Sequence, residues 1–151
     1  MLPIKPRRAL ASVLACLTLA GVACSDGSAG LSGTAGTEIH ATLEDFLISL
    51  DPSSAPAGPA AFAATNDGPS AHQFIVARTD LAPGELPTTD QNGVEVVDEK
   101  GKGLRIVCEI TNIPPSSSTS LAVHLDEGSY VVFCNLPGHY VQGMHAALTA
   151  T

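Results

Sequence analysis

Residues 130–144 read Tyr-Val-Val-Phe-Cys-Asn-Leu-Pro-Gly-His-Tyr-Val-Gln-Gly-Met, and the interpretation of the whole chain starts from them. They place a thiol at Cys134, an imidazole at His139 and a thioether at Met144, with four residues in each gap. A β-like run leads into Cys134, and a turn-rich loop with proline and glycine follows it. A thiolate, an imidazole and a weak axial thioether suit copper if a second imidazole completes the site.

His72 is the candidate for that second imidazole. It lies in residues 68–74, Gly-Pro-Ser-Ala-His-Gln-Phe, where a turn sequence gives way to a strand candidate rich in β-branched residues. For the site to form, folding must bring His72 beside the loop that carries Cys134. Two His, one Cys and a long axial Met make up the copper site used for electron transfer.

The ligand loop resembles that of the cupredoxins, the family of small blue copper proteins. The resemblance covers about residues 37–151 and is strongest from Cys134 to Met144. It implies an all-β Greek-key β-sandwich of about seven or eight strands. It also implies one type 1 copper ion, held by His72, Cys134, His139 and Met144. The four-residue gaps fit bacterial members and are longer in the Cys-to-His step than in plastocyanin, so the subfamily stays open.

Composition favours the same fold class. The chain has 151 residues with 14 Gly, 11 Pro, no Trp and only 4% aromatic residues. Short runs of Val, Ile and Leu separated by turn residues predict many short strands rather than a helical bundle. The length allows one domain with a single core, which we expect over residues 38–151.

The N-terminal residues predict export. Residues 1–23 combine a basic start with an uncharged, mostly apolar run that ends in small residues, which is typical of a secretory signal peptide. Cys24 directly after Gly-Val-Ala resembles a bacterial lipoprotein processing site, although Gly21 stands where a larger apolar residue is preferred. Ordinary cleavage that leaves Cys24 as a plain thiol is the alternative. Lipidation would place the protein in the periplasm or cell envelope, anchored to a membrane.

Residues 24–37 are rich in Gly, Ser and Ala and predict a flexible tether. Such a tether would let an anchored domain reach partners near a membrane surface. If Cys24 carries no lipid, the same residues are simply a disordered terminus.

The charge balance restricts the partners. Without residues 1–23, four basic side chains face fifteen acidic ones, which is a net charge of −11 with histidine neutral. Nucleic acid is excluded, since binding it requires Lys and Arg to neutralise phosphates. The charge favours encounter with a basic, exported redox protein, and we expect the chain to act as a monomer.

Residues 79–103 differ from the rest of the chain. They carry six acidic residues, and their apolar residues are too sparse for a core strand except around 94–97. We expect a long surface loop here. It either docks a partner or is a solvated acidic loop that keeps the protein soluble.

The cysteines allow an alternative to copper. In an exported protein, Cys108 and Cys134 could form a disulfide across the sandwich. That interpretation leaves His139 and Met144 without a role, whereas copper uses both, so we expect Cys108 to be a buried free thiol. His40 and His124 should face solvent by strand alternation, and His145 should point away from Met144.

Two functions follow from these residues. The first is a one-electron carrier between redox partners, with an electron port formed by Leu136, Pro137 and Tyr140 around the ring edge of His139, as the resemblance implies. The second is a copper-binding module that stores, delivers or senses the metal without redox turnover. An enzyme is not expected, because the sequence shows no base or nucleophile constellation and no second metal cluster.

Overall fold

The computed structural model describes residues 36–151. The predicted signal peptide, the predicted lipidation site Cys24 and all but the last two residues of the predicted tether lie outside the described residues. The first strand begins at Thr37, the last residue assigned to the tether. Between residues 36 and 151, no helix has the length and apolar character needed to cross a membrane.

Short strands joined by turns make up the described part of the chain, as its composition predicts. The strands are β1 (Thr37–Glu44), β2 (Leu47–Asp51), β3 (Ser54–Ala55), β4 (Gly58–Asn66), β5 (His72–Arg78), β6 (Thr88–Gln91), β7 (Val94–Val97), β8 (Arg105–Ile113), β9 (Ser117–Leu125), β10 (Gly128–Phe133) and β11 (His145–Ala150). Two 3₁₀ turns, Pro83–Glu85 and Tyr140–Gln142, lie between them.

Two sheets form the β-sandwich. One sheet has the order β2-β1-β4-β9 and the other has the order β3-β11-β10-β5-β8, while β6 and β7 form a separate hairpin. Strand β1 runs parallel to β4, and the remaining pairs of the four-stranded sheet are antiparallel. The predicted all-β sandwich is confirmed. The strand count exceeds the expected seven or eight because of the two-residue β3 and the hairpin.

The core lies between the two sheets and is built by strand alternation. In β1, Ile39, Ala41 and Leu43 are buried while His40 between them is exposed, as the period of two requires. Phe62 of β4 meets Phe74 of β5 across the sandwich, edge to face, with ring centroids 5.2 Å apart. These contacts fix one sheet on the other.

Tyr130 near the start of β10 forms a tyrosine corner, as in other Greek-key sandwiches. Its ring is buried, and its hydroxyl donates a hydrogen bond to the backbone oxygen of Asp126 at 2.7 Å. This bond fixes the entry of the chain into the strand that leads to Cys134.

The acidic segment 79–103 is not the irregular surface loop that its composition predicts. It folds into the Pro83–Glu85 turn and the β6–β7 hairpin, and it buries Leu86 and Val97. These two side chains pack with Ile75, Val131 and Phe133 on the outer face of the five-stranded sheet. The segment is therefore a third layer with its own small core.

This layer explains why Phe133 is fully buried although it points away from the sandwich interior. An outward aromatic ring next to Cys134 could serve as an electron entry point or pack under a neighbouring loop. The second is what the structure has.

We predict that Leu86→Ala lowers the free energy of unfolding by about 2–5 kcal/mol, because it opens a cavity between the layer and the sheet. Val94→Ala on the same hairpin is the control, since Val94 is 39% exposed and its loss should cost less than about 0.5 kcal/mol. Urea unfolding measures both. Equal effects of the two variants would mean that the layer is not part of the cooperative fold.

Candidate metal centre

His72 opens β5 and is completely buried. The loop before it is held by the buried side chain of Asn66, whose amide nitrogen donates to the backbone oxygens of Ser70 at 2.8 Å and Ile113 at 2.9 Å. The amide oxygen of Asn66 accepts the N–H of Gly68 at 2.9 Å. Asn66 thus uses its whole amide group to fix the approach of the chain to His72.

The ligand loop follows β10 and is closed by backbone hydrogen bonds. The N–H of Cys134 donates to the oxygen of Met144 at 3.1 Å, and the N–H of Met144 donates to the oxygen of His139 at 3.1 Å. Gly143 turns the chain with a left-handed φ of 105°, a conformation that a Cβ would disfavour. The three predicted loop ligands therefore belong to one closed ring of backbone.

Three predicted ligands meet at one point. The donor atoms of His72, Cys134 and His139 all lie within 4.8 Å of one another, and Sγ of Cys134 is 3.6 Å from Nδ1 of His139. The two imidazole rings are 5.3 Å apart between centroids. In the part of the chain that the structure describes, this is the one group of three such residues placed to hold a metal. Met144 is fully buried and belongs to the same core cluster as Cys134.

The ring nitrogens of His72 have no hydrogen-bond partner although they are buried. Oδ1 of Asp45 lies 2.9 Å from Nε2 as an ion-pair contact, so Nδ1 is the nitrogen left with no partner. A buried polar atom without a partner costs free energy, so such groups are rare in native proteins. A metal ion would give the imidazole the partner it lacks.

Electrostatics prepares the imidazoles for a metal. Burial lowers the pKa of His72 and of His139, and the Asp45 carboxylate opposes this only in part. Both rings are therefore neutral at neutral pH, which is the form that donates a lone pair.

The thiol behaves in the opposite way. Burial raises the pKa of Cys134, against the effect of backbone N–H groups at Leu136 and Gln73 that point at the sulfur. The Gln73 nitrogen is 3.3 Å from Sγ. Because a metal binds the thiolate, loading the site must release a proton from Cys134.

This donor set fits one type 1 copper ion. It offers two neutral imidazoles and a thiol that converge, with a buried thioether on the same closed loop. Soft sulfur together with imidazole is the combination that copper prefers, and hydrogen bonds to the Cys sulfur of the kind Gln73 makes are one means of tuning it.

The ligand loop is tied to the third layer by Asn135. Its side-chain oxygen accepts the N–H of Val97 at 2.6 Å, and its nitrogen donates to the oxygen of Val97 at 3.1 Å and to Glu99 at 2.8 Å. The sequence shows that Asn135 adjoins a ligand but not what it bonds. Its partner Val97 lies far upstream, in a segment expected to be a loop.

Tyr140 corrects the predicted electron port. Only 4% of it is exposed, and its hydroxyl donates to the oxygen of Pro83 at 2.7 Å and accepts the N–H of Leu86 at 2.9 Å. It is an anchor between the ligand loop and the third layer, not a surface residue. Of the other two predicted port residues, Pro137 is exposed and Leu136 is half-buried.

The remaining thiol and imidazoles stay outside the cluster. Cys108 on β8 is a free thiol that is not bridged to Cys134, as expected, but it is half-buried and not fully buried as the sequence predicts. His40 and His124 are exposed, as alternation predicts. His145 is half-buried and packs against the ring of Tyr140 with centroids 5.2 Å apart.

Two residues that contact the predicted ligands could not be identified from the sequence. Asp45 and Phe46 form the turn between β1 and β2, and they reach His72 and His139 respectively. The Phe46 ring meets the His139 ring edge-on, with centroids 5.0 Å apart at 89°. The parallel pairing of β1 with β4 sets Leu43 beside Asn66 and so carries this turn to the His72 loop. This strand pairing is what brings Asp45 and Phe46 to the site, and a sequence pattern does not reveal it.

Comparison with known proteins identifies the fold. No protein-family model matches the sequence, and no curated protein matches it. Among solved structures, auracyanin from Roseiflexus castenholzii is similar with a TM-score of 0.55 at 18% identity, over 78% of this chain and 98% of that one. Rusticyanin from Thiobacillus ferrooxidans is similar with a TM-score of 0.53 at 18% identity, over 78% and 79% of the two chains.

The described domain therefore has the cupredoxin fold, as auracyanin and rusticyanin do. At 18% identity, the likeness to these structures shows the fold alone. The expectation drawn from the ligand loop is confirmed at that level, and the function has to be argued from this chain's own site.

We predict that Cys108 reacts slowly with iodoacetamide at neutral pH and that its reactivity rises with an apparent pKa of about 11, because burial raises the thiol pKa from 9.0. The protonated thiol stabilises the folded state. This contribution is complete below pH 9 and is lost as the pH rises through about 11. Mass mapping of alkylated peptides measures it, and reaction at the rate of an exposed thiol near pH 8 would contradict it.

Proposed function

We propose that this protein is an exported type 1 copper protein that carries single electrons between redox partners. The observation that carries the proposal is the convergence of His72, Cys134 and His139 within 4.8 Å, with Nδ1 of the buried His72 lacking any partner. His72, Cys134, His139 and Met144 would hold the ion. Copper supplies a one-electron couple between Cu(I) and Cu(II) when bound.

The chain's own contribution is to hold the donors still. His72 is fixed by the Asn66 bonds, and the loop ligands are fixed by backbone bonds within the loop and by the anchors Asn135 and Tyr140. A donor set held this firmly rearranges little when the charge of a bound ion changes. Small rearrangement lowers the barrier to electron transfer, and this is what a carrier needs.

The surface next to His139 suits brief docking. The described residues include three exposed large hydrophobic side chains, at 50%, 39% and 49% exposure: Leu47, Val94 and Val141. Leu47 follows Phe46, whose ring contacts His139, and Val94 lies against Gly138. Val141 is two residues beyond His139. We revise the electron port to these three side chains together with Pro137.

The similar structures agree with this role. Rusticyanin is described as a copper protein, and both rusticyanin and auracyanin have been described in reduced form. At 18% identity these likenesses add plausibility to copper and redox chemistry, while the case rests on the residues above.

Export, anchoring and partner complete the proposal. The basic and apolar start of the chain and Cys24 favour a lipoprotein of the cell envelope or periplasm. The excess of acidic side chains favours a basic, exported redox partner, because opposite charge speeds encounter.

Storage or delivery of copper is the second candidate, and burial argues against it. His72, Cys134 and Met144 are all fully buried, so an acceptor protein could not readily reach them to exchange the ion. The described residues contain one group of side chains that could hold a metal ion and no second group. Nothing in them favours catalysis over electron transfer.

We predict that copper(II) loading gives an intense thiolate-to-copper absorption band that bleaches on reduction and returns on oxidation. Cys134→Ser should abolish the band, because it removes the sulfur donor, while Cys108→Ser should leave it unchanged. Visible spectroscopy of the three proteins is the measurement. A band that survives in Cys134→Ser would show that another sulfur binds copper.

We predict that Leu47→Asp slows electron exchange several-fold without changing the visible spectrum, because a charge at the port opposes apolar docking. Exchange broadening of proton NMR lines in mixtures of oxidised and reduced protein measures the rate of self-exchange. Ala122→Asp on β9 is the control, since it adds the same charge at an exposed position on the opposite edge strand of the same sheet. Equal slowing by both variants would attribute the effect to net charge.

A further inference from the structure

The turn between β1 and β2 places a carboxylate against the copper site. Oδ1 of Asp45 is 2.9 Å from Nε2 of His72, and its other oxygen accepts the hydroxyl of Ser70 at 2.8 Å. The side chain of His72 is fully buried, and that of Asp45 is 25% exposed. A carboxylate held from both sides in this way cannot swing freely into solvent.

The space for this contact depends on Gly68. A Cβ at that position would lie 3.1 Å from both Oδ1 of Asp45 and Nε2 of His72, so a side chain there would press on the pair. Since Nε2 is covered by Asp45, Nδ1 is the nitrogen of His72 left to face a metal. The arrangement matches the carboxylate–histidine–metal pattern, in which the far nitrogen of a ligand imidazole meets a carboxylate.

We propose that Asp45 is a positioning residue that holds the ring of His72 and, through its negative charge, favours Cu(II) over Cu(I), so that it lowers the reduction potential. The proposal rests on the proposed function above. Among the described residues, Asp45 is the one charged side chain that forms an ion pair with a predicted ligand.

Coulomb's law gives the sign. A negative charge beside the ligand shell attracts Cu(II) more strongly than Cu(I), and the partly buried setting screens this less than water would. The charge of Asp45 also acts on the other two donors. Burial lowers the pKa of His139, and Asp45 opposes this effect. Burial raises the pKa of Cys134, and Asp45 adds to that rise. All three converging donors therefore sense Asp45.

The test is Asp45→Asn, which keeps the shape of the side chain and removes its charge. We expect the preference for Cu(II) over Cu(I) to fall about tenfold, which raises the one-electron potential by about 59 mV. Protein-film voltammetry of the copper-loaded protein measures the potential. Affinity for Zn(II), a doubly charged ion without redox chemistry, should fall about tenfold by competition with a chelator dye.

Asp67→Asn is the matched control. It removes an equal charge from an exposed residue next to Gly68 that makes no ion pair with a ligand. We expect a clearly smaller change in potential and in Zn(II) affinity than in Asp45→Asn. Equal changes in the two variants would reduce Asp45 to part of the general field and overturn the proposal.

Ser70→Ala tests the same contact without altering either member of the pair. It removes the hydroxyl that holds the second oxygen of Asp45, so we expect a shift in the same direction as Asp45→Asn but smaller. This variant also serves if Asp45→Asn folds poorly. An unchanged potential in both variants, with the wild-type blue band intact, would overturn the role of Asp45 alone. A wild-type protein that takes up no copper would overturn the proposed function as well.

Discussion

The antiparallel pairing of β5 with β10 is the constraint on which the site depends. It sets Ile75 beside Phe133, and the next residues along the two strands bring Gln73 to the sulfur of Cys134 although 61 positions separate them. His72 is then delivered beside the ligand loop as a consequence of strand register. A slip of one residue would turn His72 to the other face of its sheet and leave the loop without its second imidazole.

The loop ligands and the fold class could be predicted from the sequence because their signals are local. Cys134, His139 and Met144 lie within eleven residues, and alternation in β1 and β10 marks the buried faces. His72 could be predicted for two reasons. It is a histidine at the start of a strand, and the copper ligand set still required a second imidazole. Asp45 and Phe46 were not predictable, because they reach the site through the parallel pairing of β1 with β4, and nothing in a turn sequence records such a long-range contact.

The third layer shows a different limit of sequence analysis. Acidic residues and sparse apolar ones made segment 79–103 look like a solvated loop, yet Leu86 and Val97 suffice to seal it onto the sheet. They suffice because the sheet itself supplies most of the apolar surface, including Phe133. Tyr140 was misplaced for the same reason, since the groups that bond its hydroxyl belong to this layer. Composition of a segment cannot reveal how much apolar surface its neighbour offers.

One short hairpin turn touches both imidazoles, Asp45 at His72 and Phe46 at His139. The turn supplies none of the predicted donor atoms, so a substitution in it changes the surroundings of the ligands and not their identity. The electronic character of the centre can therefore change at Asp45 and Phe46 while the four predicted ligands stay the same. The residues that bind the ion and the residues that set its surroundings thus lie in different segments of the chain. Related chains could differ in the driving force for electron transfer without any change in the ligands.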